Sequence, residues 1–251
     1  MGSGDLEIWL NHFEHHAQHQ RCGAEGLCDA LRRDEWDLIA SSIATFQLGE
    51  HSEGQTLLRA AERLAREKQL PHLLGIIELL VREEQRHASL LRIFMQDHRM
   101  PLKRTDWTDR VFRLLRRLDG LQLHMSVLVC AELIGNVYYR ALESATDCER
   151  LKVLCRGIVS DELAHVGFES QLLFTLRAGR SAVLCAATRL AHRVFFATTA
   201  VVVWLTHRAV LRRAGHSGRS FLLSCQAQYE FYLGPTSVLA SSQEFASPSG
   251  S

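Results

Sequence analysis

Two Glu-x-x-His units, Glu84 with His87 and Glu162 with His165, stand inside segments of helical pattern. On an α-helix, residues i and i+3 share a face, so each unit aims a carboxylate and an imidazole at one point. A motif this short arises by chance; its surroundings are what constrain the fold. Glu50 precedes Glu84 by 34 residues, and Glu132 precedes Glu162 by 30. The midpoints of these intervals, residues 67 and 147, fall beside turn signals at Gln69-Leu70-Pro71 and Thr146-Asp147. In an antiparallel helix pair, residues equidistant from the turn lie at one height, so Glu50 faces Glu84 and Glu132 faces Glu162. Two such hairpins packed face to face gather four carboxylates and two imidazoles at the centre of a four-helix bundle.

The rest of the chain is compatible with such a bundle. Its 251 residues suffice for one helical domain with appended helices, and 47% hydrophobic with 23% charged residues is ordinary for a globular protein. Only four prolines interrupt it, and Leu, Ala, Arg and Glu, all strong helix formers, dominate long stretches. The pattern predicts a leading helix from Asp5 to Gln20, ended near Gly23 and Gly26, and a long helix from Asp34 to about Lys68. Pro71 suits the first turn of a helix running to about His98; Pro101 stops it, and Thr105 with Asp106 can cap a further helix over Trp107–Leu118. Helices are expected over 121–144, 148–177, 181–214 and 219–233. We therefore expect a single all-α domain over 1–251: a core over 34–177, a C-terminal helical extension over 181–233 and a poorly ordered, Ser-rich tail over 235–251.

A net charge of +1 gives no global reason to expect a nucleic-acid partner, and the clusters Arg113/Arg116/Arg117 and Arg208/Arg212/Arg213 read as solvated helix faces. The seven cysteines form no C-x-x-C pair, which argues against a zinc ribbon; their odd, scattered distribution fits reduced thiols in a cytoplasmic protein. No basic-then-apolar export pattern opens the chain. The apolar run Val194–Leu205 is only twelve residues long, short of the ~20 that span a bilayer, and is expected to be a buried helix or a homodimer interface. The stripe His12, His15, His16 and His19 is expected to belong to an amphipathic leading helix without a functional part.

Four carboxylates in one apolar core need compensating cations, because a single buried charged carboxylate already costs several kcal/mol. Two divalent metals supply them, and mixed carboxylate and imidazole donors suit iron or manganese better than zinc. At this point the residues resemble a known superfamily, the ferritin-like di-iron carboxylate proteins, in which one Glu from each of two helices joins a Glu-x-x-His from each of the other two. The resemblance covers about Asp34 to Arg177, with all six ligand positions filled. It implies two Fe ions, or a mixed Mn/Fe pair, with Glu84 and Glu162 bridging, Glu50 and Glu132 terminal, and His87 and His165 each on one ion. Asp161-Glu162 is similar to the Asp-Glu-x-x-His form of di-iron oxygenases, radical-generating reductases and desaturases, which implies that Asp161 supports His87 and Glu83 supports His165.

The resemblance further implies an oxygenase or oxidase. Such an enzyme would activate O₂ to oxidise a small or lipophilic organic substrate, with electrons from an external donor such as a ferredoxin or reductase, since no flavin, haem or iron–sulfur motif is present. N-oxygenase relatives often carry a further histidine one turn before the second unit; Ile158 holds that place here. The competing expectation is a ferritin- or rubrerythrin-like protein that oxidises iron or removes peroxide. Glu53, Glu169 and Tyr139 lie one or two turns from the ligand set; surface roles are expected for the two glutamates, and core packing or a hydrogen bond near the site for Tyr139. Gly49, Gly54 and Gly135 mark either space for O₂ and substrate or tight helix packing.

Overall fold

The computed structural model describes residues 1–19, 27, 29–50, 54–103 and 120–234, and the regular elements among them are all helices. They are α1 (Ser3–His19), α2 (Arg33–Glu50), α3 (Gln55–Lys68), α4 (Leu73–Asp97), α5 (Leu121–Ala145), α6 (Glu149–Arg177), α7 (Ala182–Arg213) and α8 (Gly218–Leu233). The expected helix over Trp107–Leu118 with its Thr105/Asp106 cap, the stops at Gly23 and Gly26, Glu53, the cluster at Arg113 and the tail from 235 lie outside the described residues.

Two helical hairpins form the core. In the first, α2 and α3 both pack on α4; in the second, α5 packs on α6 along its length. The hairpins meet where α4 touches α6 and α3 touches α5. Apolar side chains at helical spacing account for this: Ile76, Ile77, Leu80, Leu91 and Phe94 of α4 are fully buried, as are Val129, Leu133 and Leu142 of α5 and Leu172 and Leu173 of α6. Each such side chain contributes about 1.5–3 kcal/mol by leaving water. Glu35, buried at the start of α2, accepts a hydrogen bond from the backbone N–H of Asp147 at 2.6 Å and so ties α2 to the α5–α6 turn.

One boundary differs from expectation. The helix foreseen from Asp34 to Lys68 is two helices, with α2 ending at Glu50 and α3 beginning at Gln55. Gly54 has φ +65, a left-handed conformation, and a Cβ there would stand 2.5 Å from Val81 Cγ1. A residue with a side chain is excluded on both grounds, so tight packing explains this glycine.

Outside the core, α1 lies on α4, α7 packs on α5 and α2, and α8 packs on α7, α5 and α6. By length and composition α5 and α7 could each cross a membrane, but 78% of the apolar window of α5 is buried inside the protein, against 33% for α7. The apolar stretch of α7 is therefore longer than the twelve-residue run read from the sequence. Its outer face exposes Val183, Leu190, Val194 and Leu205, so the helix is not fully buried.

Candidate metal centre

The hairpin geometry brings the six expected residues together. Glu50 comes from the end of α2, Glu84 and His87 from α4, Glu132 from α5, and Glu162 and His165 from α6. They form two groups whose donor atoms lie within 4.8 Å of one another: Glu50, Glu84, His87 and Glu162 in one, and Glu84, Glu132, Glu162 and His165 in the other. Glu84 and Glu162 belong to both. Two positions sharing two carboxylates is the arrangement that bridged metals require.

The imidazoles reach across the bundle. His87 Nδ1 lies 3.1 Å from Glu162 Oε1, and His165 Nδ1 lies 3.1 Å from Glu84 Oε1, so each ring faces the carboxylate of the opposite unit. The far nitrogens are held by carboxylates: His87 Nε2 is 2.9 Å from Asp161 Oδ2, and His165 Nε2 is 2.7 Å from Glu83 Oε2. This is the crossed pairing implied by the sequence. It orients each Nδ1 toward the centre, as supporting carboxylates do for ligand histidines in metal proteins.

Among the described residues the inward donors make no well-aligned hydrogen bond and face chiefly one another. Glu84 Oε1, His87 Nδ1, both Glu132 oxygens, Glu162 Oε2 and His165 Nδ1 are buried and unsatisfied. Orphaned polar atoms of this kind are costly, roughly 1–3 kcal/mol each and more when charged, so a convergent set of them needs a compensating group. Oxygen and nitrogen donors converging in this way could hold a metal ion. A third acidic and histidine cluster, Asp29, His98 and Cys148, lacks that character, because Arg150 already pairs with Asp29 at 2.7 Å.

The electrostatics point the same way. Burial first, then neighbouring carboxylates, pushes Glu50 and Glu132 well above the usual carboxylate range. Burial works against charge on His87 and His165, but hydrogen bonds and ion pairs with Asp161, Glu162, Glu83 and Glu84 outweigh it and raise both rings, His87 to about 10. The metal-free centre thus holds protons that metal ligation must displace. Metal uptake is expected to release protons, and apparent affinity to fall as pH falls, because acid refills the same sites. Calorimetric Mn(II) titrations in buffers of different ionisation enthalpy, between about pH 6 and pH 8, test this; binding heats independent of buffer would contradict it.

Two further residues join the site. Glu169 is fully buried, not on the surface as expected; it lies against Glu132, and both its oxygens lack a hydrogen-bond partner. Its spacing of seven from Glu162 places it on the ligand face of α6, a signal present in the sequence. Tyr139 donates a hydrogen bond to Glu50 Oε1 at 2.6 Å. The two donor groups are therefore unequal, one flanked by a phenol and the other by an extra carboxyl group.

The centre opens onto an apolar cavity of about 160 Å³. Glu50, Glu84, Glu132 and Glu162 form one wall; Phe46, Leu57, Leu80, Val127, Leu128 and Ile134 form the sides; Thr199, Val202, Val203, Thr206 and His207 of α7 close it. Gly49 and Gly135 line it; a Cβ at Gly49 would meet no atom within 4 Å, so that glycine borders open space, whereas one at Gly135 would touch the Tyr139 ring at 3.9 Å. A second recess, lined by Ser41, Ser42, Lys103 and Ala209, shares Thr45, Thr206 and His207 with the first.

Comparison with protein-family models, curated proteins and solved structures returned no significant match. What is established is an all-helical protein with a buried glutamate and histidine cluster able to hold metal.

Proposed function

We propose that this chain is a ferritin-like, non-haem di-iron oxygenase or oxidase acting on an apolar organic substrate, with a mixed Mn/Fe pair as the variant metal content. The observation that carries the reading is the contact between two metal positions sharing Glu84 and Glu162 and an apolar cavity of about 160 Å³. Glu50, Glu84, His87 and Glu162 would hold one ion, and Glu84, Glu132, Glu162 and His165 the other. When bound, the metals would supply the O₂-activating redox chemistry that no side chain offers.

The chain's own contribution is placement and exclusion. Asp161 and Glu83 fix the two imidazoles, so ligand geometry is set before a substrate arrives. The walls of Phe46, Leu57, Leu80, Val202 and Val203 bind an apolar group beside Glu84 and Glu162 and keep water from it. Tyr139 holds its proton toward Glu50 at the cavity edge. The recess at Thr206, His207 and Lys103 gives the polar end of a substrate a place away from the metals. Electrons would come from a separate ferredoxin- or reductase-type donor.

Iron handling is the alternative, and the apolar lining of the cavity favours the oxygenase over it: Fe(II) is a hydrated cation, which an apolar lining repels. Anaerobic Fe(II) loading followed by O₂ exposure tests the reading. About two irons per chain are expected, with O₂ consumption that rises when an electron donor and an apolar organic compound are added. A large hollow assembly carrying many irons per chain would overturn it.

A further inference from the structure

His16 belongs to a stripe of histidines on α1, but its surroundings differ from those of the others. His15 and His19 are exposed and stack on each other with ring centroids 4.1 Å apart. The ring of His16 instead enters the gap between the two carboxylates that support the candidate ligand histidines. Its Nδ1 is 2.5 Å from Glu83 Oε1, and its Nε2 is 3.1 Å from Asp161 Oδ1. Each carboxylate uses its other oxygen for a ligand ring, Glu83 Oε2 for His165 and Asp161 Oδ2 for His87. A continuous path therefore runs His87–Asp161–His16–Glu83–His165.

We propose that His16 is a positioning residue of the metal centre: from the N-terminal helix it clamps Glu83 to Asp161 and thereby fixes both ligand imidazoles at once. The inference rests on the di-metal reading of the six residues. Donating from both ring nitrogens requires the imidazolium form, and the hydrogen bonds to Asp161 and Glu83 raise the ring to about 9. The clamp brings a cation to two largely buried carboxylates, of which Asp161 also pairs with Arg86. Without His16, Glu83 Oε1 loses this bond, and the support that Glu83 Oε2 gives the His165 ring is less firmly held.

Docking of α1 does not depend on this contact. Leu6 and Phe13 are fully buried, Trp9 donates to Gln171 Oε1 at 2.6 Å, and the Trp9 ring lies so close to Gly167 that a Cβ there would meet it at 3.1 Å. The helix is seated by its apolar face, which leaves His16 separable by mutation. A residue that only helped to seat α1 would affect stability and not the metals.

The test compares the parent with His16→Ala and His16→Gln by anaerobic Fe(II) titration and by the visible spectrum of the Co(II)-loaded protein, with circular dichroism reporting the fold. Loss of a residue that supports metal-ligand orientation costs roughly 10–100-fold in metal affinity. His16→Ala is expected to fall in that range with an altered Co(II) spectrum, and added imidazole to restore both. His16→Gln, which keeps a donor but cannot bridge both carboxylates, is expected to lie between Ala and the parent. Variants that fold and match the parent in affinity and spectrum would overturn the clamp while leaving the di-metal reading intact, as would an affinity loss that imidazole does not repair. A parent that takes up neither metal would overturn both. Should His16→Ala fail to fold, the Gln variant decides on the same two readouts.

Discussion

Glu162→Ala is expected to abolish binding at both metal positions, whereas Glu50→Ala and Glu132→Ala each weaken one. Glu162 and Glu84 are the two residues common to both four-donor groups, so removing either takes a ligand from two ions at once. Glu162 also faces His87 Nδ1 at 3.1 Å, so its loss removes one of the two carboxylates closest to that buried imidazole. Breaking one partner out of a buried charged set costs about 3–5 kcal/mol, which is roughly 100-fold or more in affinity. Metal content per chain after anaerobic loading, measured by elemental analysis, gives the result directly. A Glu162→Ala chain that retains one ion at parental affinity would show that the carboxylate does not bridge.

The convergence of the glutamate and histidine cluster was legible in the sequence because its determinants are local. A spacing of three along a helix and equal distances from a turn need no knowledge of tertiary packing, and both survive in the structure: Glu84 with His87 and Glu162 with His165 converge across the bundle. The crossed support of His87 by Asp161 and His165 by Glu83 followed from the same spacing and the family resemblance. Glu169 was read as a surface residue although its spacing set it on the ligand face; periodicity identifies a stripe, and its depth depends on α5, which brings Glu132 against it. His16 escaped for a related reason. Four histidines at helical spacing look equivalent until the docking of Trp9 and Phe13 turns one of them toward Glu83 and Asp161. The break at Gly54 was hidden because that glycine is unremarkable in sequence; its positive φ and its contact with Val81 exist only once α4 is in place.

The C-terminal extension carries the second large effect. If α7 completes a substrate chamber, a bulky side chain at Val203 will block chemistry without touching a ligand. Val203 lines the cavity together with Thr199 and Val202 of α7. In Val203→Trp the added ring has two destinations, the cavity or solvent, and the apolar walls favour the first. Two ions per chain should remain, because all six donors come from α2, α4, α5 and α6. A substrate site discriminates by about 1–3 kcal/mol for one misplaced methylene, so a whole ring should reduce kcat/KM for an apolar substrate by roughly 100-fold or more. The assay follows product from a series of alkyl compounds of increasing length, supplied with O₂ and an electron donor. The longest compounds should be lost first, while ferrous oxidation in the absence of substrate changes little. If the protein instead handles iron, Val203→Trp and the parent will oxidise Fe(II) alike and neither will respond to any alkyl compound. The same variant therefore tests whether the cavity beside Glu84 and Glu162 is where the substrate sits, and which of the two chemistries the centre performs.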